Sequence, residues 1–517
     1  MIFSHGLGGN RNTYSHLAGS LASHGVVVVC PEHRDGSAAF TLVRDPKSKS
    51  SRDPQTKTTQ HAVPYLRIAH TQTPDAWAAR TKQLRIRLWE LGLLFEALTA
   101  LDRGTPAGGS SSKLTNLSTA PPSALSQFTG TLDIHTPGRV VFAGHSFGAA
   151  TIVQLLKSTF YAPLANANAK SKVATTTTTT TDSDTATDSD SDTATARSTE
   201  TDTNDPTIGA LFAPHPTSAV ARQITAHTPS VLLDMWCFPL VAAEGEALRR
   251  LPLPCYSAGL SVPFYSGANG GEGGREGEGE KVSSSSPPGG RAVLAVESRA
   301  FFKWTEHLHA KARILSPRPG GRGEVTEGVW RKGAEEGGEE EEDQEDLEGG
   351  KGGEKEKSWA RPHFFYVDAS AHLSQSDFGV LFPWLTKRVF KSDNPERVLR
   401  LNVRAVLQFL RGNGVPVAGT GRAALVDGGH PGMKGEWTGE DEVILEECEE
   451  GKGKVDAWRW IDLVGLGAKA GPSELEILEK GKGEREVKAE EGEKEMQGEI
   501  EPSLESVTEG AAVHATK

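Results

Sequence analysis

Val140-Val141-Phe142-Ala143-Gly144-His145-Ser146-Phe147-Gly148-Ala149-Ala150-Thr151 decides the fold. A β-branched and aromatic run ends in Gly-x-Ser-x-Gly, and small residues then open a helix. In a nucleophile elbow, a strand turns sharply into a helix and holds a serine in a strained backbone conformation at the turn. Glycine on either side of Ser146 removes side chains that would clash, and Ala149 and Ala150 let the helix pack close to a sheet. The five-residue match alone fits any glycine-punctuated turn. The strand before it and the small-residue helix after it specify the elbow.

Upstream, residues 75–103 read as a helix in which Leu84, Leu88, Leu91, Phe95 and Leu98 share one stripe, with Arg85, Arg87 and Glu90 lying off it. Further back, Met1-Ile2-Phe3-Ser4-His5-Gly6-Leu7-Gly8-Gly9-Asn10 reads as a strand end feeding a glycine-rich loop. Such a loop can turn backbone N–H groups toward a developing oxyanion. A helix from about Tyr14 to His24 follows, then Val26-Val27-Val28-Val29-Cys30, an apolar run expected as a parallel strand buried on both faces. Pro31-Glu32-His33-Arg34-Asp35-Gly36-Ser37 is best read as an ion-pair loop that fixes a turn. With His5, the His33 and Asp35 side chains are metal-ligand types, but a glycine-rich loop suits the stretch better than a metal site.

Downstream, Ser230-Val231-Leu232-Leu233-Asp234-Met235-Trp236-Cys237-Phe238-Pro239 is an apolar run broken by one acid. A buried carboxylate needs a partner, and a histidine ring N–H is the one that would explain it. Arg291 to Val296 reads as the next strand, and His363-Phe364-Phe365-Tyr366-Val367 as the last core strand, leading into a loop with His372. The order Ser146, Asp234, His372 is that of nucleophile, acid and base in an elbow hydrolase. Asp368 is the rival acid, close to His372 in sequence, but nearness along a loop does not orient a ring.

The composition bounds the rest. The chain has 517 residues, 36% of them apolar, and a net charge of −12 concentrated in acidic low-complexity tracts, which argues against a nucleic-acid surface. Cys30, Cys237, Cys255 and Cys448 lack CxxC spacing, so neither zinc nor a disulfide framework is expected. There is no apolar run of about 18 residues and no signal peptide, which predicts a soluble, cytoplasmic protein. Residues 166–206, 267–290 and 316–357 carry too little apolar surface to fold and read as disordered insertions. The expected organisation is a catalytic α/β domain over 1–412 and a mostly disordered acidic tail over 413–517, in which Trp458, Trp460, Ile461 and Leu463 would at most form a short docking helix.

Ser4-His5-Gly6-Leu7-Gly8, Ser23-His24-Gly25, Glu32-His33-Arg34-Asp35, the elbow, Leu233-Asp234-Met235-Trp236-Cys237-Phe238-Pro239-Leu240, and His372 with Asp377-Phe378 together resemble the plasma and type II platelet-activating factor acetylhydrolases. The resemblance implies an α/β-hydrolase fold, with a mostly parallel sheet flanked by helices. It also implies a calcium-independent serine esterase acting on phospholipids with a short or oxidised sn-2 acyl chain. Carried over by position, Ser146 is the nucleophile, Asp234 the acid and His372 the base, and the backbone N–H groups of Leu7 and Phe147 form the oxyanion hole. No cofactor and no metal are implied. The family has a sizeable segment before its Ser-His-Gly-Leu-Gly loop, so the first sheet strands and part of the lipid-contacting surface are expected to be missing here. The segment Pro383–Phe390, with Trp384, Leu385 and Lys387, is expected as a helix making weak peripheral contact with a membrane. The sequence does not fix an oligomeric state. Two other functions fit parts of the pattern: a dienelactone-hydrolase-like or polyester-hydrolase-like carboxylesterase, and a catalytically dead scaffold.

Overall fold

The computed structural model describes residues 1–44, 60–70, 73–104, 121–177, 214–215, 217–257, 287–321, 324–330, 359–390, 392, 394–418 and 443–467. In chain order the elements are β1 (Ile2–Ser4), α1 (Ser15–Ser23), β2 (Phe40–Arg44), β3 (Gln60–Pro64), α2 (Pro74–Asp102), β4 (Phe142–His145), α3 (Phe147–Thr177), α4 (Ala219–Gln223) and β5 (Ser230–Leu233). They continue with α5 (Glu246–Arg249), β6 (Val293–Ser298), α6 (Arg299–Lys303), α7 (Thr305–Leu315), β7 (His363–Val367), α8 (Phe378–Leu381), α9 (Pro383–Phe390), α10 (Pro395–Gly412) and β8 (Trp458–Trp460). Short 3₁₀ turns link several of them.

The strands form a six-stranded sheet in the order β1-β4-β5-β6-β7-β8. Every pairing is parallel except the last, where β8 runs antiparallel to β7. β4, β5 and β6 are buried at every residue, because helices cover both faces of a parallel sheet and leave no side for polar residues. Alternate residues feed two cores. Phe3, Val141, Val231, Leu294 and Phe365 pack with α1 and α10 on one face. Ile2, Phe142, Leu232, Ala295 and Phe364 pack with α2, α3 and α7 on the other. This is the α/β-hydrolase arrangement expected from the sequence.

Several local expectations need correction. The Val26–Cys30 run makes no strand: only Val29 pairs, in a single parallel bridge to Ile2. β1, the strand beside it, has three residues, and Val27 stays 40% exposed. Arg87 does not lie off the helical stripe but is fully buried on it. Within the 316–357 stretch, Val325, Val329 and Trp330 are buried in the core, and Trp330 bridges to Trp359. Three large apolar side chains there outweigh the flanking charge. Beyond residue 412 the chain returns to the sheet: Trp458 and Trp460 alternate with Arg459, pair with β7 and bury both indoles. The Trp-x-Trp spacing is that of a strand rather than a docking helix.

Of the first expected insertion, residues 166–177 continue α3 and the remainder lies outside the described residues. So do 267–286 of the second, 322–323 and 331–357 of the third, and 419–442 and 468–517 of the tail. Among the described residues, no helix is long and apolar enough to cross a membrane, and the four cysteines are unpaired.

Candidate active site

Open α/β sheets gather ligands at the carboxyl ends of their strands. Ser146 follows β4, Asp234 follows β5, His372 lies in the loop after β7, and Leu7 follows β1. Ser146 adopts φ 55° and Asp234 φ 42°, two of only four non-glycine residues with positive φ among those described. Each such conformation costs on the order of 1–3 kcal/mol, so it persists only where the surroundings hold it. Here the fixing bonds are visible. Ser146 N donates to Leu233 O at 2.9 Å, Asp234 N donates to Val296 O at 2.8 Å, and Trp236 N returns to Ser146 O at 3.2 Å.

The glycines of the elbow are set by contact. A Cβ at Gly148 would lie 2.0 Å from Ser4 O, and one at Gly144 would lie 2.4 Å from the Gly148 carbonyl carbon. Helix α3 therefore starts against the end of β1. That brings the glycine loop over the serine, with Gly6 close enough that a Cβ there would sit 3.1 Å from Ser146 Cβ.

His372 Nδ1 donates to Asp234 Oδ2 at 3.0 Å. Asp234 Oδ1 accepts from Ser298 N at 2.5 Å. The His372 ring stacks on Phe301 (centroids 4.3 Å apart, 8° between planes) and lies 4.5 Å from the ring of His145, the residue before the serine. Burial, with Lys311 nearby, lowers the His372 pKa to about 3 and keeps the imidazole neutral, the form that can accept a proton. Burial pushes Asp234 above the usual carboxylate range, against the opposing pull of Lys311 and Ser298. Asp368, the rival acid, is engaged elsewhere: it accepts from Arg299 Nη1 at 2.5 Å and pairs with Arg459 Nε at 2.8 Å.

Leu7 and Phe147 sit on the two chain segments that flank Ser146. Phe147 opens α3, where the first N–H groups have no partner within the helix and carry the positive end of its dipole. Leu7 lies between Gly6, whose N–H donates to Tyr14 Oη at 3.0 Å, and Gly8, whose N–H donates to Ser37 O at 2.8 Å. Tyr14 also meets His145 Nδ1 at 2.8 Å, tying loop and elbow together.

The loop is held from behind by Arg87, which reading the sequence left off the stripe. Its Nη1 donates to His5 O at 2.8 Å, its Nε to Asp35 Oδ2 at 2.7 Å and its Nη2 to Ser37 Oγ at 2.6 Å. Burial alone would raise the Asp35 pKa, but Arg87, His33 and Ser37 outweigh it and hold the carboxyl at about 2. His33 bridges Ser4 Oγ at 2.9 Å and Glu90 at 2.7 Å, and His5 Nε2 accepts from His33 N at 3.1 Å. His5, His33 and Asp35 thus spend their polar atoms on the protein, as an ion-pair loop does. His145, Asp234 and His372 bring ligand-type atoms within 4.8 Å of one another; His145 Nδ1 and His372 Nδ1 are bonded to Tyr14 and Asp234, and His145 Nε2 has no partner among the described groups. Arg87 sits three residues after Leu84 and four before Leu91, so a charged residue inside the stripe was the available signal. Lys311, buried between Leu308 and Leu315 on α7, carries the same signal.

Residues 1–165 match the family model described as platelet-activating factor acetylhydrolase, isoform II. A putative phospholipase A2 of Schizosaccharomyces pombe is 34% identical over 151 residues, 29% of this chain and 33% of the relative. Platelet-activating factor acetylhydrolases of Cavia porcellus and Bos taurus are each 33% identical over 156 residues, 30% of this chain and 31% of theirs. The chain spans about a third of the length of the curated relatives it matches. The resemblance read from the sequence therefore holds over the part that carries Leu7, Ser146 and Phe147.

Proposed function

We propose that this chain, matching the platelet-activating factor acetylhydrolase family over its first 165 residues, is a calcium-independent serine esterase. Its substrate is the short sn-2 acyl ester of platelet-activating-factor-like phospholipids. One observation carries the reading: His372, in the loop after β7, is bonded through Nδ1 to the wholly shielded Asp234, at the sheet edge where Ser146 is held at positive φ. In this reading Ser146 Oγ attacks the acyl carbonyl while His372 takes its proton. Asp234 fixes the imidazole tautomer and stabilises the imidazolium that forms. The Leu7 and Phe147 amides receive the oxyanion, each worth on the order of 10²–10³ in rate. The tetrahedral intermediate collapses with loss of the lysophospholipid alkoxide, which takes the proton from His372. Water, deprotonated by His372, then releases the short acid and regenerates Ser146.

The substrate arrives from a lipid surface. Val380 and Leu381 on α8, Phe382 between the helices and Val389 on α9 are exposed, Trp384 is 71% exposed, and Lys387 and Arg388 stand beside them. α8 packs against the turn that begins at His372. Exposed aromatic and aliphatic groups with flanking cations suit weak, reversible seating at a membrane interface. The test is acid release from 1-alkyl-2-acyl-glycerophosphocholines of graded sn-2 length, with chelator present. Turnover falling steeply from acetyl to long chains supports the reading; preference for long chains, or loss of activity with chelator, overturns it.

A further inference from the structure

Behind Asp234 lies a second buried acid and a buried cation. Glu297 follows Val296, the register partner of Leu233, on β6 and pairs in register with Tyr366 of β7. Its Oε2 is bonded to Lys311 Nζ of α7, both side chains wholly shielded from solvent. Asp234 is bonded to both chain neighbours of Glu297, its N to Val296 O at 2.8 Å and its Oδ1 to Ser298 N at 2.5 Å, while Glu297 Oε1 has no hydrogen-bond partner among the described groups. Burial pushes both acids above the usual carboxylate range, and the nearby Lys311 opposes the shift in each. The Lys311 ammonium also lies 4.7 Å from the Phe301 ring centroid, and the Phe301 ring stacks on His372. Lys311 therefore touches the site along two routes, through Glu297 to Asp234 and through Phe301 to His372.

We propose that Glu297 and Lys311 are positioning residues that extend the triad inward, with Lys311 supplying the cation that lets Asp234 stay ionised beside a second buried acid. The inference rests on the esterase reading of the site. Two buried like charges that feel each other cannot both persist in a dry interior without a counter-charge. The other titratable groups facing the pair supply none. Burial keeps the His307 and His145 imidazoles neutral and raises the Cys237 thiol to about 12. Arg299, on the adjoining α6, is paired with Asp368. Removing Lys311 makes the two acids hold their protons more tightly, and Asp234 then loses the charge that orients and stabilises His372. Replacing Glu297 by an amide removes the competing acid, and with it the need for the cation.

The test measures the pH profile of kcat/KM on p-nitrophenyl acetate for the wild type, Lys311→Met, Glu297→Gln and the double variant. Lys311→Met is expected to lose about 10–100-fold, with its acid limb displaced upward by about one pH unit. Adding Glu297→Gln is expected to bring activity back to within about 5-fold of wild type, with the limb restored. A limb that stays in place in Lys311→Met overturns the proposal. So does a double variant no more active than Lys311→Met, whether that single variant is folded and slow or fails to fold. A wild-type chain that neither hydrolyses the ester nor takes a fluorophosphonate at Ser146 contradicts the esterase reading itself, and the proposal falls with it.

Discussion

Two buried ion pairs stand behind the site, and they are built differently. Arg87–Asp35 backs the glycine loop, and both partners are fully shielded from solvent. Asp35 Oδ1 accepts from Ser37 N and Oγ, Oδ2 accepts from Arg87, and Arg87 spends its remaining donors on His5 O, Ser37 Oγ and Thr151. The result is an acid held well below its usual range. Lys311–Glu297 stands behind Asp234 and is just as buried, but Glu297 keeps an oxygen without a donor, and its pKa is pushed up by burial and by Asp234. A saturated pair fixes geometry, because nothing in it gains from changing protonation. An unsaturated pair beside a base remains responsive to charge. Equal burial therefore does not mean equal role.

The sharpest break is on the responsive side. Asp234→Asn should lower kcat on the order of 10⁴-fold through the wrong imidazole tautomer, whereas Asp368→Asn, which loses only half-exposed pairs, should change it by less than about 5-fold. Steady-state hydrolysis of a soluble ester ranks the two, and the reverse order would move the acid to Asp368. On the saturated side, Arg87→Met leaves Asp35 buried and unpaired and should cost about 3–5 kcal/mol, seen as a fall in Tm on the order of 10 °C. The pH dependence follows in sign. Asp35, at about 2 against an ordinary 3.8, contributes stability that is fully present above pH 3.8 and lost as the pH falls toward 2. Arg87→Met should abolish that part of the acid unfolding curve, and an unchanged curve would show the pair is not what shapes it.

Gly148→Ala tests the contact that joins elbow and loop. A Cβ 2.0 Å from Ser4 O must push β1 away, at a cost on the order of 1–3 kcal/mol and with a larger loss in kcat than in KM if the proposed oxyanion donors Leu7 and Phe147 move with it. Equal kcat in this variant would detach the loop from catalysis. The smallest effect is at the surface: Trp384→Ala should weaken liposome binding while changing stability by no more than about 0.5 kcal/mol. Loss of thermal stability together with ester hydrolysis would show that the indole has a packing role despite its exposure.

What the sequence disclosed follows the range of the forces involved. The elbow, the α2 stripe and the order Ser146, Asp234, His372 are local patterns or known chain orders, and the three side chains do lie at one edge of the sheet. The acid inside Ser230–Pro239 signalled itself because an isolated carboxylate in an apolar run demands a partner. Arg87 and Lys311 were harder to read, since long cationic side chains usually mark solvent, and only their position within an apolar stripe argues otherwise. Trp458–Trp460 needed a partner edge nearly a hundred residues earlier in β7. Its surroundings of Gly, Glu and Lys argued for disorder, and no local pattern weighs a non-local pairing. The four-valine run erred the other way: its apolar content was sufficient, but β1 gave it too short a partner.

The most direct measurement is covalent labelling of the intact chain with a fluorophosphonate, followed by mass spectrometry of the peptides. Only a serine activated by its base reacts readily. A single label per chain on the peptide containing Ser146, absent in Ser146→Ala and strongly slowed in His372→Ala, is the predicted result. A wild-type chain that stays unlabelled, a label on another serine, or labelling indifferent to His372 would contradict it.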